Sequence, residues 1–218
     1  MLFTKLLLVL ALAAACSATP AASPTQRVHL TDPRVQYRFD DSAEGWDAWT
    51  APGDQALFRV NGGALEAAVV PDAGYIWSLS NRTYRNAAIQ ATVQQMEGAP
   101  GNGFGVLCRA DANGNGYYFL ISSSGFFSIR EATSAQSDPA PLVDWQRNDA
   151  IRQGSEPNEL LAVCVNDYLT FSVNGRFLAE ARDDTHDAGE PGVALGAVQD
   201  TAWVRFDNII VREAAIAG

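Results

Sequence analysis

Between Gly103 and Ala132 the chain reads GFGVLCRADANGNGYYFLISSSGFFSIREA, a stretch that fits little besides antiparallel sheet. Phe104 to Arg109 has strand composition and Asp111 to Gly116 is turn chemistry. Tyr117 to Ser122 is a second strand, and Ser123-Ser124-Gly125 turns into a third, Phe126 to Arg130. Alternate residues of a strand point to opposite faces, so Tyr117, Phe119 and Ile121 share one side and Tyr118, Leu120 and Ser122 the other. Apolar groups on both sides place this strand in the middle of a sheet rather than at its edge.

The same pattern runs through the rest of the chain. Short strand-like runs are punctuated by turns, as in Leu57 to Val60, Asn61-Gly62, Ala64 to Val69, and again in Tyr168 to Val173, Asn174-Gly175, Phe177 to Ala181. Further runs fall at Val35 to Phe39, Tyr75 to Leu79, Ala87 to Gln94, Glu159 to Val165, Gly192 to Ala197, Trp203 to Phe206 and Ile209 to Val211. No fixed-period repeat appears, so a propeller or solenoid is not expected, and an all-β, antiparallel two-sheet β-sandwich is. Met96 to Asn102 and Ser134 to Pro157 lack strand pattern and read as loops, the second carrying Trp145.

The first sixteen residues stand apart. Lys5 is followed by the apolar run Leu6 to Ala15 and then Cys16. That run is shorter than the ~20 residues needed to span a bilayer, and it has the plan of a secretory signal. Ala13-Ala14-Ala15 before Cys16 resembles a bacterial lipobox, although Leu12 lies one position further back than such a box places its leucine. Residues 1–16 are therefore expected to be a lipoprotein signal with lipidation at Cys16; an ordinary signal peptide cut later is the alternative. Residues 17–34, rich in Ser, Thr, Ala and Pro, read as a tether, and residues 35–213 as the sandwich. The expected address is the outer side of the cell envelope, membrane-anchored or secreted.

Formal net charge is -10, and no Lys- or Arg-rich run exists, so nucleic acid is not an expected partner. Of three cysteines, Cys108 and Cys164 remain once Cys16 is set aside. Both lie in strand-like runs and, in an oxidising compartment, form a candidate disulfide. Two separate buried thiols are the alternative.

Several fragments together carry a family resemblance: FDDSAEGW from Phe39, GFGVLCRADANGNGYYFLIS, LVDWQRNDAIRQG, NELLAVCVNDYLTFSVNG, and GVALGA followed by VRFDNIIV. In this order they resemble the concanavalin A-like jelly-roll domain of the family-16-like, 3-keto-disaccharide hydrolase type found in bacterial surface lipoproteins. The resemblance spans nearly the whole sandwich. It implies two antiparallel sheets, one of them concave, and a glycan-related role.

Catalysis finds little support in the residues. Retaining glycosidases need two carboxylates a few ångströms apart on one strand face, and no Glu-x-Asp-x-x-Glu triplet is present. Glu156 and Glu159 are the nearest pair, interrupted by Pro157, and His29 and His186 are the only histidines. Asp111-x-Asn113-x-Asn115 imitates a calcium loop but carries Ser122 where a glutamate is required, which favours a hairpin turn. Asp183, Asp184, His186 and Asp187 read as a solvated acidic turn. No cofactor is expected to be required, and Asp40, Asp41 and Asp207 are the candidate set for a structural calcium.

Sugar-binding sites stack aromatic rings on pyranose faces and bond the hydroxyls with planar polar groups. Tyr75, Trp77, Arg109, Tyr117 and Trp145 are the candidate ligand-binding residues, with Trp49 beside them, while Trp46 and Trp203 are expected in the core. Alternation with Cys108 would turn Arg109 outward. The expected function is carbohydrate binding, with a glycan or polysaccharide as partner and no evident catalytic machinery. A glycoside-cleaving enzyme of the 3-keto-disaccharide hydrolase type, or an envelope domain that binds a protein partner, are the alternatives.

Overall fold

A computed structural model describes residues 23–32, 35–43, 45–133 and 138–217. The lipidation candidate Cys16 and the signal stretch lie outside the described residues. Those described form two antiparallel sheets and one turn of 3-10 helix at Pro52–Asp54.

The chain opens with β1 (Val28–Leu30), β2 (Val35–Tyr37), β3 (Trp49–Thr50), β4 (Ala56–Asn61) and β5 (Ala64–Val69). β6 (Tyr75–Leu79), β7 (Ala87–Glu97), β8 (Gly103–Ala110), β9 (Gly116–Ile121) and β10 (Phe126–Ala132) follow. The remainder is β11 (Ala140–Arg147), β12 (Asn158–Val165), β13 (Tyr168–Val173), β14 (Arg176–Arg182), β15 (Glu190–Gly196) and β16 (Ala202–Ile216). One sheet runs β14-β13-β12-β7-β16-β5-β4-β3, with β1 and β2 both paired to β16. The other runs β11-β10-β9-β8-β15-β6.

The core lies between these layers. From the six-stranded sheet Phe104, Val106, Tyr117, Phe119 and Ile121 point inward and meet Ile89, Val93, Leu169, Phe171 and Phe206 of its partner. Phe119 packs edge-on against Phe171 with ring centroids 5.6 Å apart, a geometry aromatic quadrupoles favour. Cys108 of β8 and Cys164 of β12 form a disulfide, their Cα atoms 6.7 Å apart, so one covalent bond crosses the core from sheet to sheet. Strand alternation is kept in β9, whose other face carries Tyr118 and Leu120 in a second buried cluster on the outside of the six-stranded sheet.

Several segments depart from the expectation. The presumed loop after Ser134 contains β11, which pairs β10 with two register shifts; its polar, irregular sequence is that of an edge strand, which needs no second apolar face. Val28–Leu30, inside the expected tether, pairs with Ala214 to Ile216 of β16. Val28 and Leu30 cover Ala88, Val163 and Val165 on the outer face of the larger sheet. The two expected closing strands are one, broken by a register shift between Asp207 and Ile210, where Asn208 has φ +49°. Trp46 is in the core, 3% exposed, but Trp203 lies half-buried with the Arg59 guanidinium 4.8 Å from its ring centroid.

Candidate functional site

Register across the six-stranded sheet determines what its outer face presents. Trp77 of β6 stands opposite Ala194 of β15, which stands opposite Gly105 of β8, which stands opposite Leu120 of β9. The neighbouring rows run Tyr75, Gly196, Gly103 and Leu79, Gly192, Leu107, Tyr118, Arg130. The middle of this face is thus glycine and alanine, with large side chains at its flanks. Glycine within a strand weakens it and marks close approach of another group. At Gly103 and Gly196 the groups are aromatic rings, whereas Gly105 meets the β9 backbone and Gly192 meets Leu79 and the Ser78 carbonyl.

A Cβ on Gly196 would lie 2.9 Å from the Tyr75 ring, and one on Gly103 would lie 2.5 Å from the Tyr75 hydroxyl and 3.4 Å from the Trp145 ring. Trp77 leans the other way, over Gly114 in the turn between β8 and β9, where a Cβ would meet the indole at 2.7 Å. Gly114 has φ +78°, a conformation glycine adopts freely. Tyr75 and Tyr118 meet edge-on with centroids 5.7 Å apart, and Tyr118 donates to the Gly114 carbonyl at 2.7 Å. The result is a furrow. One hollow of about 450 Å³ holds Tyr75, Gly103, Arg130 and Trp145, and another of about 300 Å³ holds Tyr75, Trp77, Gly114 and Tyr118.

Three of the expected residues, Tyr75, Trp77 and Trp145, are therefore brought together, all half-buried against one cluster. Two are not. Tyr117 points into the sandwich, fully buried, and donates to Asp183 at 2.6 Å. Arg109 is 4% exposed and donates to the carbonyls of Arg85 and His186, both at 2.8 Å, and to Asn86 Oδ1 at 3.2 Å. The reason is a β-bulge. Ala110 faces Glu190 while Leu107 faces Gly192, so β8 holds an extra residue there, and Arg109 takes φ +54°. The bulge breaks alternation and turns its side chain towards the turn that holds Asp183 and His186.

The arginine on the aromatic face is Arg130, opposite Tyr118 and 8% exposed. Its Nε donates to the Pro139 carbonyl at 2.7 Å and its Nη2 meets the exposed Asp138 carboxylate at 3.2 Å. Strand spacing could have found it, since Tyr118 and Arg130 lie symmetrically about the Ser123–Gly125 turn. Burial pushes the Tyr75 hydroxyl up to about 12, with Arg130 pulling the other way and Asp138 adding to the rise. Burial likewise raises Tyr118. At neutral pH both hydroxyls are uncharged donors.

Other acidic groups behave as turn chemistry. Asp111 accepts from the backbone of Asn113 and Asn115 and from the Asn115 side chain, closing the β8–β9 hairpin. Among the described residues no group of three or more His, Cys, Asp or Glu that could hold a metal ion is found. Glu159 is exposed and accepts from Gln90 at 2.7 Å, on the other sheet from the furrow.

No protein-family model matches the sequence, and no curated protein is detectably similar to it. Solved structures are. The carbohydrate binding module CBM66 from Bacillus subtilis matches with a TM-score of 0.63 at 14% identity, over 78% of this chain and 96% of that one. A protein of unknown function with a galectin-like fold, also from Bacillus subtilis, matches at 0.61 and 12% identity, over 86% and 99%. A GH16 protein of a Bacteroides ovatus mixed linkage glucan locus, in complex with G4G4G3G product, matches at 0.53 and 11%, over 84% and 99%. At such identities the likeness is one of fold. The chain has the fold of a concanavalin A-like jelly roll.

Proposed function

We propose that this domain binds a glycan in the furrow on the outer face of the six-stranded sheet. The observation that carries the reading is the glycine floor under Tyr75 and Trp145, with Trp77 over Gly114 on one side and Arg130 on the other. Such a floor lets a flat ring lie close to the sheet. Indole and phenol faces then stack on its C–H face, while Arg130 and the Tyr75 hydroxyl bond its oxygens. The fold neighbours, a carbohydrate binding module and a GH16 protein held with a glucan product, support the same class of ligand.

The test is thermal melting of the purified protein against a panel of neutral and acidic oligo- and polysaccharides. A ligand that binds only the native state raises the melting temperature. A rise with one glycan class, lost in Trp77→Ala and Trp145→Ala, supports the reading; a flat panel at high concentration overturns it and favours a protein partner.

The domain is further read as exported and held at the envelope by lipid on Cys16. The Lys5 to Cys16 pattern supports this, as does the disulfide, since such bonds persist in oxidising compartments. Labelled fatty acid should enter the wild type and not Cys16→Ala.

A further inference from the structure

The wall formed by Tyr75 and Trp77 has a second side. β6 is the edge strand of the six-stranded sheet and β3 the edge strand of the larger one. Between them lies a cleft of about 740 Å³, lined by Trp46, Asp47, Trp49, Tyr75, Ile76 and Trp77. It shares Ala73, Tyr75 and Trp77 with the hollow on the sheet face, so only that ridge separates the two spaces.

Three features of the cleft remain unused by the fold. Trp49 is 36% exposed although one side of it packs on Phe58 at 5.7 Å. Trp46 is 3% exposed, yet its buried indole N–H has no acceptor among the described residues. Asp47 presents an exposed carboxylate from a segment held in place by its own backbone, which donates to the Leu79 carbonyl at 3.2 Å and accepts from Ser78 Oγ at 2.8 Å.

We propose that this cleft is a second sugar-binding subsite, and that a glycan chain in the furrow continues over the Tyr75–Trp77 ridge onto Trp49. The inference rests on the glycan reading of the furrow. Trp49 supplies the stacking face and Asp47 accepts from sugar hydroxyls. The ligand class is a neutral pyranose chain. Among the described residues no cation lines the cleft, where Asp47 repels a carboxylated or sulfated chain, and in the furrow Arg130 is already met by Asp138.

The test is calorimetric titration with cello- and laminari-oligosaccharides from disaccharide to hexasaccharide. The wild type should gain affinity with length throughout the series. Trp49→Ala should bind the short members as the wild type does and lose about tenfold on the longest. Asp47→Asn, an exposed near-isosteric change, should lose less in the same direction. Long-chain affinity unchanged in both variants, with Trp77→Ala still damaging, overturns the second subsite while leaving the furrow standing. Equal loss at all lengths in Trp49→Ala also overturns it. A wild type that binds no member of the series overturns the neutral-chain subsite, and the wider glycan panel then decides the furrow on its own.

Discussion

The Tyr75 hydroxyl hangs over Gly103, two strands away from its own β6, at a distance that leaves no room for a Cβ. The position of the ring over the furrow thus depends on the absence of a side chain beneath it. Gly103→Ala should displace Tyr75 or shift β8, costing about 1–3 kcal/mol of stability as overpacking does. Glycan affinity should fall tenfold or more. Calorimetry on the folded variant checks this, and unchanged affinity would show that binding does not use the ring where it stands.

The two buried arginines should separate cleanly. Removing Arg109 leaves the carbonyls of Arg85 and His186 without their donor. Arg109→Met should therefore lower stability by about 2–3 kcal/mol in urea unfolding, while the protein that remains folded binds glycan as before. Arg130→Met should weaken binding directly. If Arg109→Met abolished binding without loss of stability, the assignment of the two roles would be reversed.

What the sequence made legible followed from alternation, and what it hid followed from places where alternation fails. Tyr117, Phe119 and Ile121 face the core and Tyr118 and Leu120 face out, as a period of two requires. Tyr75, Trp77 and Trp145 meet where an outward aromatic set was expected. The same counting sent Arg109 to the wrong side, because one inserted residue at a bulge inverts everything read from it. β11 escaped because an edge strand needs no clean apolar pattern. The floor was written in Gly103, Gly105, Gly192 and Gly196, yet a glycine in a strand signals close approach without saying what approaches.

The Cys108–Cys164 bond closes a loop with a sequence separation of 56 residues. On the chain-entropy account a loop of that length is worth about 4 kcal/mol through restriction of the unfolded state. The double variant Cys108→Ala, Cys164→Ala should lose stability of that order in urea, with the transition midpoint falling. A loss well under 1 kcal/mol would mean that packing across the sheets already does the work.

Tyrosine ionisation links the furrow to stability at high pH. Burial pushes Tyr75 up to about 12, against about 10 for an unfolded tyrosine. Below pH 10 both states keep the proton, so the contribution to stability is fully present. Between pH 10 and about 12 the unfolded chain releases a proton that the folded chain keeps, and stability falls as pH rises. Burial raises Tyr117 and Tyr118 in the same direction, with the bond to Asp183 adding to Tyr117, so the alkaline loss should exceed that of Tyr75 alone. Tyr75→Phe should flatten the fall across that window in urea unfolding and remove one late phenolate from the ultraviolet titration. A bound glycan that covers Tyr75 should delay the same phenolate further. Tyr117 and Tyr118 remain late in Tyr75→Phe; if ligand still delays one of them there and no longer does so in the double variant Tyr75→Phe, Tyr118→Phe, the tyrosine that senses the furrow is Tyr118.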